Sequence, residues 1–199
     1  MDAMLEGGFA DAVMEAQTAF RAILDALANP GTRQNLVLSP STGARIGAEL
    51  VSALLTLSDH DTPVWLAPEL ASDSGVREFI GFHTGAPLVG EPERAVFAFA
   101  SRAGDLPPLA QFALGTQDYP DRSTTIVLQV EALEGGAPLT LRGPGIKDHR
   151  HISPLGLPED FLVQWSGNRA LFPRGVDLLF VAGGQVMGLP RATRIEEGH

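Results

Sequence analysis

The stretch TTIVLQVEAL at 124–133 is the clearest strand in the chain and decides the class of the fold. Threonine, isoleucine and valine are the residue types that favour strands. The segment EGGAP at 134–138 follows, and LTLRG at 139–143 reads as a second strand, which predicts a hairpin with a longer loop. Near the other end, VDLLFVA at 176–182, GG at 183–184 and QVMGLP at 185–190 predict another hairpin with a two-residue turn.

Helical segments are interleaved with these strands. Between Phe9 and Ala28 the apolar residues follow the three-and-four spacing of an amphipathic helix, which NPG at 29–31 ends: Val13, Ala16, Phe20, Ile23, Leu24 and Leu27. We also predict helices at 41–57, 72–85, 105–116 and 157–172, the last with Pro158 in its first turn, and short strands at 62–68 and 95–100. The sequence therefore predicts one α/β domain over 1–199, a mixed sheet with helices packed on it, with loose termini at 1–8 and 196–199.

Composition restricts the chemistry that this chain can perform. Fourteen Lys and Arg against 24 Asp and Glu give a net charge of 14 − 24 = −10, which disfavours binding to nucleic acid or anionic lipid. The absence of cysteine excludes disulfides, thiolate catalysis, zinc–thiolate sites and Cys-ligated iron–sulfur clusters. The amino terminus lacks a signal pattern, and no apolar run reaches the length of a membrane helix, so we expect a cytoplasmic protein.

The stretch GPGIKDHRHIS at 143–153 has the composition of an anion or metal site. A glycine turn and Lys147 could hold a phosphate, and His149 and His151 would share a face of a strand. However, proline offers no N–H, and no third ligand stands at a recognised metal spacing. We interpret the stretch as a turn followed by a solvated loop.

Two further polar segments are candidates for acid–base chemistry. Asp59, His60 and Asp61 lie between a predicted helix and a buried strand, where they could either form a site or bond local backbone amides. His83 and Thr84 follow a predicted helix, and His83 could be a base or could cap that helix.

Arginines near strand ends form the remaining candidates. Arg174, Arg191 and Arg194 could bind phosphate or carboxylate ligands, pair within the chain, or lie at a partner surface. We expect pairing, for example of Arg174 with Asp177, or an interface. The sequence contains no nucleophile-elbow, zincin, dinucleotide-binding or P-loop motif. The residue patterns by themselves therefore identify no set of catalytic residues.

Six blocks of sequence, in order, resemble the PhnH family, the H subunit of the bacterial carbon–phosphorus lyase system. They are FRAILDALANPG (20–31), LLTLSDHDTPVWL (54–66), FHTGAPLV (82–89), LTLRGPGI (139–146), FPRGVDLLF (172–180) and LPRATRI (189–195). The resemblance implies the fold of pyridoxal-phosphate-dependent transferases without the cofactor, and a homodimer when the chain is isolated.

The resemblance also implies a role in phosphonate catabolism. Such a chain joins the G, I and J subunits and supports transfer of a phosphonate onto the ribose of ATP, before the carbon–phosphorus bond is broken. ATP, S-adenosylmethionine and the iron–sulfur cluster would belong to partner subunits, and we expect no cofactor and no metal on this chain.

The polar residues inside the matched blocks are the ones we select as a ligand or partner surface, with no catalytic residue assigned: Asp59, Asp61, His83, Thr84, Arg174, Asp177 and Arg191. The alternative hypothesis is a stand-alone enzyme that binds phosphate, phosphonate or nucleotide with His83, the two aspartates and the two arginines.

Overall fold

The computed structural model describes residues 7–39 and 45–197. Five helices and ten strands are assigned within these ranges. The helices are α1 (Ala12–Ala28), α2 (Ala48–Leu57), α3 (Pro68–Ser72), α4 (Ser74–His83) and α5 (Phe161–Ala170). The strands are β1 (Arg33–Asn35), β2 (Val64–Leu66), β3 (Leu88–Val89), β4 (Phe97–Ala100), β5 (Thr125–Gln129), β6 (Leu139–Arg142), β7 (Arg150–Ile152), β8 (Asp177–Ala182), β9 (Gln185–Leu189) and β10 (Arg194–Glu197).

Seven strands form a mixed sheet in the order β1-β9-β8-β5-β4-β2-β3. The pairs from β3 to β8 are parallel, whereas β9 is antiparallel to both β8 and β1. This confirms the predicted mixed sheet and the hairpin across the glycine pair at 183–184. The implied likeness to pyridoxal-phosphate transferases stays a prediction, and so do the loose termini, most of which lie outside the described residues.

The hairpin predicted after the strand at 124–133 is wrong. β5 pairs in parallel with β4 and β8, whereas β6 joins a separate sheet in the order β10-β6-β7. The reason lies in β5 itself, where Ile126, Val127 and Leu128 are consecutive and all buried. A strand that is apolar on both faces belongs inside a sheet covered on both sides, where parallel neighbours are usual.

Two apolar cores cover the two faces of the large sheet. One is formed with α1, α2, α3 and α4 through residues such as Ile23, Leu54 and Ile80. The other is formed with α5 and the small sheet, and it holds Trp165 and Leu141. The molecule is therefore a three-layer α/β domain, with helices on one face and a helix plus a small sheet on the other.

Helix α1 packs closely on the sheet through two alanines and one isoleucine. Ala19, Ile23 and Ala26 are buried, and a Cβ added at Gly188 of β9 would lie 2.5 Å from the carbonyl oxygen of Ala26. The close approach of helix and strand leaves larger residues of the predicted apolar stripe in solvent: Val13, Phe20 and Leu24 are 66%, 45% and 47% exposed.

Two of the other predicted helices need correction. The segment 105–116 contains only a short 3₁₀ helix, Leu109–Gln111, because Pro107 and Pro108 lack N–H donors and the Leu109 N–H donates to the side chain of Gln164. In the segment 157–172 the helix begins at Phe161, so Pro158 lies before it, and its carbonyl accepts the Phe161 N–H. Of the helix predicted at 41–57, residues 41–44 lie outside the described ranges, and the helix begins at Ala48 because 45–47 are not helical.

Candidate functional site

Most of the predicted site residues lie at the edge of the large sheet where its parallel strands begin. Asp59 and Asp61 precede β2, Thr84 precedes β3, and Asp177 is the first residue of β8. Arg191 follows β9, which runs the opposite way, so it also lies at this edge. We call this side of the sheet the amino edge.

The aspartates before β2 form a local turn. The Asp61 N–H donates to Asp59 Oδ1 at 2.9 Å, and Thr62 Oγ1 accepts the Asp59 N–H at 2.6 Å. His60 Nε2 lies 3.3 Å from Asp61 Oδ2, with both side chains about four-fifths exposed, at 79% and 84%. These contacts support the local interpretation of the segment, since its polar atoms bond neighbouring backbone and solvent.

The residues after α4 lie beside this turn. Thr84 Oγ1 donates to the Ile80 carbonyl at 2.8 Å and accepts the Ala86 N–H at 3.0 Å, which closes the helix. His83 is the last residue of α4, and its ring centroid lies 4.3 Å from that of Phe79. The two segments are adjacent, because a Cβ added at Gly85 would lie 3.7 Å from the Cβ of His60.

Asp177 forms the most buried ion pair of the described residues, and its partner is Arg191. Arg191 Nε lies 3.1 and 3.2 Å from the two carboxylate oxygens, and its Nη2 also donates to Oδ2. The Arg191 N–H donates to Oδ1 at 2.7 Å, and Nη1 donates to the Pro120 carbonyl at 2.6 Å. The side chains are only 14% and 18% exposed, so the pair joins the start of β8 to the turn after β9.

The predicted pairing of Arg174 with Asp177 is therefore wrong. Antiparallel pairing of Leu178 with Leu189 brings Arg191 to Asp177, whereas Arg174 lies in the turn after α5, where its N–H donates to the Leu171 carbonyl. Arg194 is in the small sheet, in β10.

The predicted residues consequently form two groups rather than one site. β5 and β4 lie between β8 and β2, so the Asp177–Arg191 pair is three strand spacings from the Asp59 turn, roughly 14 Å at about 4.8 Å per strand. A shared ligand would have to cross the ends of both intervening strands.

The stretch at 143–153 contains the turn after β6 and the strand β7, and its contacts hold the fold together. Gly145 has a φ of +80°, and a Cβ there would lie 2.2 Å from the Ala28 carbonyl oxygen. Lys147 is exposed, in agreement with a solvated loop, but 150–152 form β7 rather than loop. Arg150 donates to the Pro30 carbonyl at 2.7 Å, and the rings of His149 and His151 lie 4.9 Å apart.

The opposite edge of the sheet holds a cleft that the sequence did not reveal. Open α/β sheets bind ligands at the carboxyl ends of their strands, beside the point where the strand order reverses. Here β2 has β3 on one side and β4 on the other, so the order reverses between β2 and β4. A cavity of about 630 Å³ lies one strand further along, beyond the ends of β4 and β5. Its walls include Ser101 and Arg102 after β4, Gln129 and Glu131 at the end of β5, and 156–158.

Arg102 at this carboxyl edge is bound to two acids. It donates to Glu69 Oε2 at 2.7 Å and, through Nε, to Asp105 Oδ2 at 3.1 Å. The hydrogen bond to Asp105 and the negative charges of Asp105 and Glu69 raise the pKa of Arg102 above its ordinary value. The guanidinium therefore stays charged, and its charge is already matched within the chain.

If the strands at 95–100 and 124–133 are taken as parallel neighbours, their carboxyl ends, near Ser101 and Gln129, are predicted to form this edge of the sheet. The predicted hairpin instead made β6 the neighbour of β5, so the carboxyl edge was not predicted. Among the described residues, no group of three His, Asp or Glu side chains is placed to hold a metal, and no helix is long and apolar enough to cross a membrane.

The fold and the cleft define a three-layer α/β protein with a mixed sheet and a recessed carboxyl edge. Comparison with known proteins gives its family. Residues 7–196 match the family model described as bacterial phosphonate metabolism protein (PhnH), and the chain belongs to that family.

Two relatives agree with the family match. The chain is 50% identical over 190 residues to the alpha-D-ribose 1-methylphosphonate 5-triphosphate synthase subunit PhnH of Rhizobium meliloti (strain 1021), which covers 96% of this chain and 94% of the relative. It is 31% identical over 179 residues to the "Putative C-P lyase subunit protein HtxG" of Stutzerimonas stutzeri, covering 90% and 85% of the two chains. The resemblance found in the six sequence blocks is confirmed.

Proposed function

We propose that this chain is an accessory subunit of the carbon–phosphorus lyase complex. In this role it supports transfer of a phosphonate onto the ribose of ATP, before another subunit breaks the carbon–phosphorus bond. The observation that carries the proposal is the 50% identity to a synthase subunit, which extends over 96% of this chain and 94% of the relative. Similarity over two nearly complete chains extends the likeness to the whole domain rather than to one motif.

The contacts at the amino edge support an accessory role over a stand-alone enzyme. Asp59 and Thr84 bond to neighbouring backbone, and Asp177 is held by Arg191. Side chains whose hydrogen bonds are used by the fold contribute to its stability, whereas a catalytic acid or base must face substrate. His83 and the two aspartates of the stand-alone hypothesis also lie about three strands from its Arg191.

The proposal includes the partners that the family resemblance implies. They are the G, I and J subunits in the complex, and a second copy of this chain when it is isolated. The exposed stripe of α1, with Val13, Phe20 and Leu24, supports the homodimer, because a self-complementary apolar helix face suits a two-fold interface. We propose that ATP, S-adenosylmethionine and the iron–sulfur cluster are bound by the partner subunits.

Co-expression of the tagged chain with the G, I and J subunits tests the proposal. We expect the partners to co-purify with it, and we expect ³¹P NMR to detect the ribose phosphonate triphosphate only when the chain is added to the remaining subunits. Failure of every partner to co-purify would overturn the proposal. Turnover of phosphonate and ATP by the isolated chain would favour the stand-alone enzyme instead.

A further inference from the structure

Three cavities meet around Pro158, where the chain enters α5. The largest, about 630 Å³, is the carboxyl-edge cavity described above. A second, about 280 Å³, shares Ala103, Gly104 and Pro158 with it. A third, about 310 Å³, lies on the other side of Phe161 and shares Leu157 and Pro158 with the first. We call these three together the Pro158 cleft.

The floor of the Pro158 cleft is apolar. Leu106, Pro107 and Pro108 line it on one side, and Phe161 lines it on the other. The polar side chain of Gln164 in this part is already used, since its Oε1 accepts the Leu109 N–H and its Nε2 donates to Asp160. A ligand here would gain by burying apolar groups rather than by new hydrogen bonds to the floor.

The rim of the cleft is acidic. Glu131, Glu159 and Asp160 line its cavities; among the described lining residues Arg102 is the single cation, and its charge is matched by Glu69 and Asp105. Glu131 and Glu159 are exposed, and neither forms an ion pair within the part of the chain that the structure describes. Such a rim repels phosphate and phosphonate groups and attracts Lys and Arg side chains.

We infer that the Pro158 cleft is the docking site for a segment of a partner protein. That segment places an apolar side chain between Leu106 and Phe161 and a Lys or Arg side chain against Glu131 and Glu159. The inference rests on the proposed function, because it assigns one surface by which an accessory subunit holds a partner. A buried apolar anchor within a charged rim is the usual anatomy of such an interface.

A glycine in the wall of the cleft allows a sharp test. A Cβ added at Gly104 meets no atom within 4 Å, and its φ is not positive, so Gly104→Trp places a large ring at the wall shared by two of the cavities without a backbone clash. Gly90→Trp is the matched control, because Gly90 has the same freedom and lies outside the cavities. Each variant is tagged and co-expressed with the G, I and J subunits, and circular dichroism verifies its fold.

A second pair of variants tests the charge of the rim. Glu131→Arg combined with Glu159→Arg reverses two exposed acids that form no ion pair with a described residue, and circular dichroism verifies the fold because the Glu131 side chain lies beside Gly156. Glu93→Arg is the control, since Glu93 is exposed in the 3₁₀ helix Pro92–Arg94, away from the cleft. We expect Gly104→Trp and the double reversal each to lower partner retention by about tenfold or more, as loss of an interface anchor does, and both controls to match the wild type.

The outcomes separate this inference from the proposed function. If the wild type holds its partners and Gly104→Trp holds them equally, the docking site is wrong and the proposed function stands. If the wild type holds no partner, both are overturned. If Gly104→Trp instead turns an isolated dimer into a monomer in sedimentation, with partners retained, the occupant is a second copy. A thermal shift with millimolar ATP or methylphosphonate that Gly104→Trp abolishes would assign the cleft to a small ligand and overturn the inference.

Discussion

Asn168 clamps the end of α5 to the start of β8, and its removal should be among the most destabilising changes in the chain. Its Nδ2 donates to the Val176 carbonyl at 2.9 Å, and its Oδ1 accepts the Val176 N–H at 2.8 Å. Asn168 is only 4% exposed and Val176 is fully buried. The substitution Asn168→Ala therefore leaves two buried backbone groups without a partner.

The expected loss follows from these two groups. Each buried backbone group left unsatisfied costs about 1–3 kcal/mol, which gives about 2–6 kcal/mol for the pair. The better helix propensity of alanine returns about 0.6 kcal/mol, and water entering the vacated space recovers part of the rest. We expect a net decrease of about 2–4 kcal/mol in the free energy of unfolding.

Equilibrium unfolding in urea measures this decrease. Tryptophan fluorescence is a direct probe, because Trp165 is buried one turn before Asn168, and far-UV circular dichroism shows whether the transition is a single one. Ser166→Ala, at an exposed position of the same helix, is the control and should stay within about 0.5 kcal/mol of the wild type. An Asn168→Ala protein as stable as this control would refute the reasoning.

Two further changes test the packing of the amino edge and of the turn after β6. Asp177→Asn removes the charge that holds Arg191, and should lower stability by about 2 kcal/mol in the same urea titration; a change near zero would mean that the pair is not formed. Gly145→Ala should cost about 2–4 kcal/mol, since it combines a positive φ with a clash against the Ala28 carbonyl. Gly135 has a similar φ, but a Cβ added there meets no atom within 4 Å, so Gly135→Ala should lower stability by only about 1 kcal/mol. Equal losses of stability at the two glycines would contradict the clash at Gly145.

The elements of the fold could be predicted wherever local pattern and tertiary packing agree. The periodicity before NPG gave α1, and the glycine pair at 183–184 gave the β8–β9 hairpin. What failed was pairing over longer distance. The run Ile126, Val127 and Leu128 is continuous rather than alternating, which favours a strand covered on both faces, yet its nearness in sequence to β6 suggested a hairpin. Sheet membership depends on which faces are covered, and that is decided by distant segments.

The candidate site was predictable only in part, because polar residues at strand starts and at strand ends look the same in sequence. Asp59 and Asp177 were predicted as site residues because they are charged and lie beside buried strands. In the structure, Asp59 forms a local turn and Asp177 forms an ion pair. The walls of the Pro158 cleft come from three separated segments around Arg102, Glu131 and Pro158. Spacing along the chain cannot show that such segments converge.

The two surfaces assigned to partners lie on opposite faces of the large sheet. Helix α1, with exposed Phe20 and Leu24, packs on the core that Ile23 and Leu54 share. The Pro158 cleft adjoins α5, which packs on the other core with Trp165. A dimer formed through α1 would therefore leave the cleft open, and a partner docked in the cleft would leave α1 free.

Substitutions that place a charge on α1 should dissociate the isolated dimer without lowering partner retention, whereas Gly104→Trp should lower partner retention without dissociating the dimer. That independence follows from the layer order of the fold, and a single variant that abolishes both contacts while remaining folded would argue against it.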